Sequence, residues 1–419
     1  MFKIVLFFAF LRPFICEQAF PDLGLLYLFL LFLLILSFLI AKKRLKLINP
    51  LDFFVLFFLG VVVISTFFPN FNLFGIFELF FFSVNIGAYL CCRILNYRET
   101  KTFIRLSVLA AGLVSAYGLY SYFFGFAHLE SYLKINPQEA GGQVDYILSV
   151  VRNKRIFSTF ISCNVLSSYL LLSSFWAGGL ILSGFLEGES KECRWDIIFS
   201  VTCLVLIVTA LTLTKTISAI LLFLVMFPLF IFLAFKSYRY FKGSKLELKK
   251  FFLPTAASLI IISVIMFYFN RVRLVSLFDY TLQDNSFMQR INYWVSSLRI
   301  FWDFPLLGIG WRKFGLYYCK YLSLGANVSH YSHNIILQIM AETGILGLTG
   351  LAGLVFSAIK LGLKELKSNN INVGLKLGLF FSVAAFLLHN LVDIGFYFGQ
   401  ASFFFWAGIG LLVNQNNKK

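Results

Sequence analysis

Apolar runs of about twenty residues recur along this chain, and they constrain its fold more than any other feature. A helix of that length crosses the hydrocarbon core of a bilayer, where only helices and closed barrels satisfy their backbone polar groups. Apolar residues make up 59% of the 419 and charged residues 13%, proportions that a water-soluble domain does not show. The pattern predicts an all-α polytopic membrane protein.

The length criterion predicts about twelve membrane-spanning helices. They are expected near residues 2–15, 22–41, 51–68, 72–92, 103–126, 157–185, 196–213, 216–235, 252–269, 334–359, 372–388 and 399–414. The first resembles a signal peptide, but Arg12-Pro13 interrupts its apolar run and no small-residue cleavage site follows, so we expect a retained segment. A very tight turn at Thr214-Lys215 has to join two of the helices.

The formal net charge of +17 is spread over short basic clusters between the apolar segments. Such clusters are typical of loops that orient a membrane protein, because Lys and Arg are enriched in cytoplasmic loops. We therefore expect a lipid bilayer, and no nucleic acid, as the partner. All the clusters fall on one side if both termini are cytoplasmic, which is the topology we predict. They lie at residues 42–46, 93–101, 236–250, 360–367 and 418–419.

Two long loops face outward in this topology, at residues 127–156 and 270–333, within a single integral membrane domain that covers 1–419. Apolar residues of the second loop recur at helical spacing, at Phe287, Ile291, Trp294 and Leu298. The segment 286–302 is therefore predicted to be an amphipathic helix at the membrane surface.

Polar and charged side chains gather at the outward ends of segments that are far apart in the sequence. These candidate site residues are Arg155, Lys215, Arg290, His330, His333, Asn334 and Asp393. Guanidinium and ammonium groups at this depth suit an anionic headgroup such as a pyrophosphate. A neutral imidazole accepts a proton near neutral pH, so His333 is a candidate to activate a hydroxyl. Asp393 is a candidate to orient that imidazole or to hold a sugar hydroxyl.

Each of these residues also has a structural interpretation. The cationic ones could anchor helix ends at lipid headgroups, and a loop histidine such as His330 is usually a surface residue. Glu342 lies inside its helix and is expected to pair with a neighbouring helix, because an unpaired carboxylate is costly there. Close helix approach is expected at the glycines Gly344, Gly347, Gly350 and Gly353.

Motifs of other chemistries are missing from the sequence. The seven cysteines are scattered in mostly apolar surroundings, which is typical of small buried residues and not of a zinc site or a redox pair. P-loop, dinucleotide-binding and zinc-protease motifs do not occur. We therefore expect no metal and no cofactor.

The stretch that follows the second loop resembles the histidine motif of the O-antigen ligase and polymerase superfamily of membrane glycosyltransferases. In that motif a histidine is followed by Asn, Ser or Gln, then nine residues, then glycine, two residues and a small or polar residue. Here His333-Asn334, nine residues and Gly344-Ile345-Leu346-Gly347 fit the pattern.

Other stretches resemble the same family. PLLGIGWRKF is similar to its proline–glycine stretch before the histidine loop, and MQRINYW gives Arg290 the place of the loop arginine. KRIFSTFISCN gives Arg155 the place of the arginine before Gly-Thr-Phe, although Ser158 replaces the glycine. The family's Ser-Arg-Gly is Thr-Lys-Thr around Lys215, and HNLVDIGF contains Asp393.

The resemblance implies a GT-C-like fold in the bacterial inner membrane and a metal-independent active site that faces the periplasm. The implied enzyme is an O-antigen ligase, which takes a glycan from undecaprenyl diphosphate and transfers it to a hydroxyl of the lipid A core. His333 would draw the proton from that hydroxyl, and Arg290 would stabilise the charge of the leaving diphosphate. The implied substrate-binding residues are Arg155, Lys215, His330, Asn334 and Asp393.

Three alternatives remain open at the level of sequence. A polymerase of the same superfamily would use a second lipid-linked repeat as acceptor, and a protein O-oligosaccharyltransferase would use a protein. A lipid-linked-glycan flippase is the alternative of another class. A transporter typically carries ionisable residues at the bilayer midplane in broken helices, whereas most of those here lie at helix ends, with Glu78 and Glu342 as the main exceptions.

Overall fold

The computed structural model describes residues 1–42, 49–68, 73–140, 144–188, 190–242, 264–272, 274–275, 285–322, 327–366 and 373–414. Within these ranges the regular structure is helical and includes no strand. The α-helices are α1 (Phe2–Leu11), α2 (Pro21–Lys42), α3 (Pro50–Phe67), α4 (Leu73–Arg93), α5 (Tyr97–Tyr120), α6 (Phe126–Ile135), α7 (Val144–Arg152), α8 (Cys163–Glu187), α9 (Lys191–Leu213), α10 (Ile217–Lys242), α11 (264–272), α12 (Ser286–Asp303), α13 (Phe314–Tyr318), α14 (Ile335–Leu366), α15 (Val373–His389) and α16 (Gly399–Leu412).

Eight of the described helices are long and apolar enough to cross a membrane, which confirms the all-α polytopic fold. They are α2, α3, α4, the continuous helix formed by α5 and α6, α8, α9, α10 and α14. Two further apolar helices, α15 and α16, are shorter. The span expected at 252–269 lies partly outside the described residues, and the number of twelve stays a prediction.

The helix that begins at Tyr97 is longer than the sequence predicts. Asn96 and Glu99 form a capping box at its start, because the side chain of each accepts a hydrogen bond from the backbone N–H of the other. A π-helical turn at Ser121–Gly125 then continues it into α6. Residues up to Ile135 are therefore helical, although the first long loop is expected from 127.

The ends of the described spanning helices form two faces: Lys42 at the end of α2 pairs with Glu99 at the start of α5, and Arg93 at the end of α4 pairs with Asp52 at the start of α3. We call the end that carries segments 121–162 and 286–334 the loop face, and the other end the opposite face. Basic residues such as Lys42, Arg93 and Lys101 lie on the opposite face, as the predicted topology requires. Which face lies in the cytoplasm stays a prediction.

Helix α8 lies at the centre of the bundle and is the most enclosed of the eight candidate spans, with 94% of its most apolar window buried. It packs against α5, α9, α10, α15 and α16. Glycines let α8 and α15 approach closely: a Cβ at Gly179 would lie 3.1 Å from Gly378 Cα, and one at Gly378 would lie 2.5 Å from Phe175 O. This packing brings the start of α8 beside the end of α15 on the loop face.

Helix α14 is broken at Gly344, whose φ of 64° and ψ of −159° are adopted readily only by glycine. The backbone of segment 304–310 lies in the break, and Ile345 N donates a hydrogen bond to Pro305 O (2.8 Å). A Cβ at Gly344 would lie 2.3 Å from Leu306 C, so the close approach requires glycine. The break joins the second long loop to the helix that follows His333.

Close helix approach is found at two of the four glycines for which it is expected. Gly350 and Gly353 face phenylalanine side chains of α3. The expectation is wrong for Gly344, which faces a loop, and for Gly347, whose nearest neighbour is the side chain of Thr343 in its own helix. At Gly344 the physical reason is the break itself, which the backbone of segment 304–310 fills.

Helix α12 confirms the predicted helix at 286–302. Its polar residues Gln289 and Ser296 are buried, and the helix packs against α14. Two residues of the predicted apolar stripe are exposed, Phe287 at 44% and Leu298 at 41%, whereas Ile291 is half-buried and Trp294 packs against the cluster around Tyr293. Exposed apolar side chains suit a lipid surface, although the depth of α12 in a membrane stays a prediction.

Candidate active site

His333 lies just before α14 with a φ of 54°, a left-handed conformation that costs a non-glycine residue about 1–2 kcal/mol. Hydrogen bonds fix the residues on either side of it. Ser332 Oγ donates to Asn334 O (2.9 Å), and Asn334 Oδ1 accepts from the backbone N–H groups of Ile336 and Leu337 in α14. Ile335 N donates to Asn390 O (2.8 Å), which ties this segment to the end of α15. Asn334 therefore caps a helix, and its expected contact with substrate stays a prediction.

The His333 ring stacks against Tyr293 of α12, with centroids 5.6 Å apart and planes at 26°. Its Nδ1 is buried, and no described residue donates a hydrogen bond to it or accepts one from it. Burial lowers the pKa of His333 to about 4, while the charge of Asp393 opposes this shift and that of Arg290 reinforces it. The imidazole is therefore neutral at neutral pH and able to accept a proton.

Asp393 follows α15, and its side chain is completely buried. Oδ1 accepts a hydrogen bond from Ile394 N (2.8 Å), but Oδ2 has no hydrogen-bond partner within the described ranges. Arg290 Nη2 lies 3.9 Å from Oδ2, and His389 Nε2 lies 3.8 Å from it. A buried carboxylate oxygen without a donor costs free energy, so its presence indicates function better than stability.

His389, the last residue of α15, connects three helices. Its Nδ1 lies 2.9 Å from Ser168 Oγ of α8, and its Nε2 lies 3.2 Å from Ser218 Oγ of α10. These serines are missed by the sequence analysis, because nothing distinguishes them from other serines in apolar helices. Together with the contact to Asp393, they hold the loop-face ends of α8, α10 and α15 together.

Arg155 lies in the turn before α8 and is 9% exposed, so it is a buried residue rather than a surface anchor. Its Nε donates to Thr214 O (3.1 Å), and its Nη2 donates to Asn164 Oδ1 (3.2 Å). Asn164 Oδ1 also accepts from Thr216 Oγ1 (3.2 Å). The tight turn predicted around Lys215 is confirmed, since α9 ends at Leu213 and α10 begins at Ile217.

Lys215 and His330, the two remaining candidate residues, lie in different surroundings. Lys215 lies in that turn with a φ of 53°, and its Nζ donates to Asn153 O (2.8 Å). His330 is exposed and lies against Gly315, where a Cβ would come within 2.6 Å of the His330 Nδ1. The structure therefore places Lys215 beside Arg155 and leaves His330 at the surface, where its expected contact with substrate stays a prediction.

Most of the candidate residues belong to one connected set on the loop face. Contacts link Arg155, Asn164 and Thr216 on one side, and Ser218, His389, Asp393 and Arg290 on the other, and the two groups meet at the start of α10, where Thr216 and Ser218 lie two residues apart. His333 joins the set through Tyr293, which lies on the same helix as Arg290. Cationic, carboxylate and imidazole groups from segments far apart in sequence are thus brought to one region.

Glu342 and Glu78 are two of the buried carboxylates that lie outside this set. Glu342 Oε2 accepts from Tyr397 OH (3.1 Å), which confirms the expected pairing with a neighbouring segment. Glu78 of α4 pairs with Arg312, whose Nε lies 2.7 Å from Glu78 Oε2. The sequence shows Glu78 only as a carboxylate inside an apolar segment, and its partner, 234 residues away, has no signal there.

Fold and site together define a polytopic helical membrane protein with a buried polar site at one face of its bundle. Residues 202–352 match the family model described as O-antigen ligase. This stretch of the chain is therefore similar to the O-antigen ligase superfamily, whose members are glycosyltransferase-like enzymes. The match includes Lys215, Arg290 and His333, and excludes Arg155 and Asp393. A comparison with the curated proteins finds no match to this chain.

Proposed function

We propose that the protein is an O-antigen ligase, which transfers a glycan from undecaprenyl diphosphate to a hydroxyl of the lipid A core oligosaccharide. The observation that carries the proposal is the buried Nδ1 of His333, which has no hydrogen-bond partner in the described part of the chain. His333 also lies within the stretch that matches the family. The proposed location is the bacterial inner membrane, with the loop face toward the periplasm.

His333 acts in this proposal as the proton acceptor. The oxygen of the acceptor hydroxyl bonds to the anomeric carbon of the donor glycan, and its proton passes to the imidazole. The bond between that carbon and the diphosphate oxygen breaks, and its electron pair leaves with undecaprenyl diphosphate. Asp393 stabilises the imidazolium that forms, since its charge favours the protonated ring.

Cationic side chains bind the diphosphate of the donor. Arg290 and Arg155 offer planar guanidinium groups, and Lys215 offers a point charge. Each charge-assisted hydrogen bond contributes about 1.5–3 kcal/mol. These charges stabilise the leaving group, so the proposed reaction needs neither a metal ion nor a nucleotide.

An apolar cavity beside Arg155 supports a polyprenyl donor. The cavity has a volume of about 280 Å³ and lies between α6, α7 and the segment 157–163. Val150 and Cys163 line it, and both touch the Arg155 backbone: Arg155 N donates to Val150 O (3.0 Å), and Cys163 Sγ lies 3.8 Å from Arg155 O. An apolar wall next to a buried arginine suits an isoprenoid chain that ends in a diphosphate.

The experiment that tests the proposal removes the gene and separates the lipopolysaccharide of the cell on a gel. Loss of a ligase leaves bare lipid A core while finished polymer accumulates on undecaprenyl diphosphate. Core that carries a single repeat would identify a polymerase instead. Unchanged lipopolysaccharide together with proteins that lose their glycan would identify a protein O-oligosaccharyltransferase. Restoration by the wild-type gene is the control.

A further inference from the structure

Two buried Arg–Glu pairs on the loop face lie outside the site described above. Arg12 contacts Glu17 through Nη2–Oε1 (2.9 Å) and Nη1–Oε2 (3.1 Å) hydrogen bonds. Arg312 contacts Glu78 through Nε–Oε2 (2.7 Å) and Nη2–Oε1 (3.1 Å) hydrogen bonds. Glu17, Glu78 and Arg312 line the same small cavity, so the pairs have similar geometry and surroundings. They differ in what the arginine touches beyond its carboxylate.

Arg312 reaches the segment that carries His333. Its Nη1 donates to Tyr331 OH (3.1 Å), and its Cζ lies 5.3 Å from the Tyr331 ring and 5.4 Å from the Tyr397 ring. A guanidinium between two aromatic rings is held by cation–π attraction as well as by hydrogen bonds. Arg312 thus fixes Tyr331, just upstream of the histidine. The hydrogen bonds of Arg12 to Glu17 and to Ile15 O are local, and its Nη2 also lies against Gly399 of α16, whereas no hydrogen bond or ion pair of Arg12 within the described residues reaches the segment 331–333.

Ser332, directly before the histidine, is held by a second branch of the same network. Ser332 N donates to Gln338 Oε1 (2.5 Å), and Gln338 Nε2 donates to Glu342 Oε1 (2.8 Å). Glu342 Oε2 accepts from Tyr397 OH (3.1 Å), and the Tyr397 ring lies against Arg312. The buried network around Arg312 therefore holds both Tyr331 and Ser332, the two residues that precede His333.

The conformation of His333 needs such support. Its φ of 54° is unfavourable for a residue with a side chain, and strained conformations persist only where the surrounding structure over-determines them. We infer that Glu78 is a positioning residue: through Arg312 and Tyr331, this carboxylate of α4 fixes the backbone of His333 and so the direction of its imidazole. The expected effect on catalysis rests on the proposed function.

The main test compares Glu78→Gln with Glu17→Gln, which makes the same change in the matched pair. With purified protein, a lipid-linked glycan donor and lipid A core, Glu78→Gln should lower kcat about 10- to 100-fold and leave the KM for the donor unchanged. Glu17→Gln should keep the wild-type kcat per folded molecule, even where its melting temperature falls. Equal losses of kcat in the two variants would show a merely structural role and overturn the inference.

Tyr331→Phe supplies a second variant that keeps the ring and removes only the hydroxyl. It should lower kcat in the same direction as Glu78→Gln, and the two changes together should cost less than the product of their separate effects, because they act through one contact chain. Wild-type kcat in both Tyr331→Phe and Glu78→Gln overturns the inference.

Hydrogen exchange gives a readout that does not depend on activity. Backbone amides of residues 331–335 should exchange faster in Glu78→Gln than in wild type, and at the wild-type rate in Glu17→Gln. A wild-type protein that transfers no glycan contradicts the proposed function, while this exchange pattern still supports the positioning of His333. Active wild type with unchanged exchange in Glu78→Gln contradicts the positioning alone.

Discussion

The two faces of the helical bundle treat buried polar groups differently. On the opposite face Lys101 pairs with Glu187 (2.7 Å) and with Asp196 (3.0 Å), so that buried charges of both signs are matched. On the loop face the Nδ1 of His333 and the Oδ2 of Asp393 have no hydrogen-bond partners among the residues that the structure describes. The loop face has matched pairs of its own, Arg12–Glu17 and Arg312–Glu78, but it also holds the two candidate-site groups that are left ready for a substrate.

Backbone strain follows the same division. The described non-glycine residues with positive φ all lie on the loop face; they are Lys154, Ser158, Lys215, Arg312 and His333. Strain of this kind costs of order 1–3 kcal/mol per residue and clusters at active sites. Backbone strain at the loop face lowers the folding stability of the protein and fixes the positions of the candidate site residues. The charge pairs of the opposite face stabilise the helical bundle.

The largest effect is expected at the break in α14, where the loop-face segment meets the helix. Gly344→Ala should lower the melting temperature strongly or prevent folding, since its Cβ would lie 2.3 Å from Leu306 C and its backbone conformation alone costs about 1–3 kcal/mol. Gly60→Ala in α3 is the control, because no atom lies within 4 Å of the added Cβ. Thermal unfolding of the purified variants measures both. Equal melting temperatures would show that the break imposes no strain.

A matched pair of carboxylate-to-amide changes tests the comparison directly. Asp393→Asn should lower glycan transfer about 100-fold and leave the melting temperature unchanged or higher, because it removes an incompletely paired buried charge. Glu187→Gln should lower the melting temperature by a few degrees and keep kcat per folded molecule, because it breaks the pair with Lys101. Transfer assays and thermal unfolding on both variants measure this. The reverse pattern would contradict the division between the faces.

The smallest effect concerns the acidic limb of the pH–rate profile. His333 must be neutral to accept a proton, and its pKa is lowered to about 4, so wild-type transfer should fall only as the pH drops toward that value. Arg290→Ala removes a charge that lowers the pKa and should move the limb to higher pH, whereas Asp393→Asn should move it to lower pH. Shifts of about one unit are expected. Two results would exclude His333 as the titrating group: an acidic limb of the wild-type profile centred near pH 6.5, or limbs that move in the same direction in Arg290→Ala and Asp393→Asn.

The sequence predicts the architecture because its signals are local. Apolar runs, the tight turn at Lys215 and the spacing in the segment 286–302 each depend on neighbouring residues, and the structure confirms them. The resemblance to the family is confirmed by the match over 202–352.

The geometry of the site is not predictable in the same way, because it depends on contacts between distant segments. Nothing near Glu78 indicates Arg312 as its partner, and nothing near Arg155 indicates that its Nε donates to Thr214 O. The break at Gly344 has a glycine as its only local signal, and the same signal fits close helix packing. The roles of the site residues stay predictions until variants are measured.

A single-turnover measurement on His333→Ala with saturating lipid-linked donor and lipid A core tests the role of the imidazole without interference from product release. We expect wild-type binding of the donor and a chemical step slower by about 100- to 10,000-fold, while His128→Ala, a change at an exposed histidine of α6, behaves as wild type. A chemical step at the wild-type rate in His333→Ala would show that this imidazole does not accept the proton.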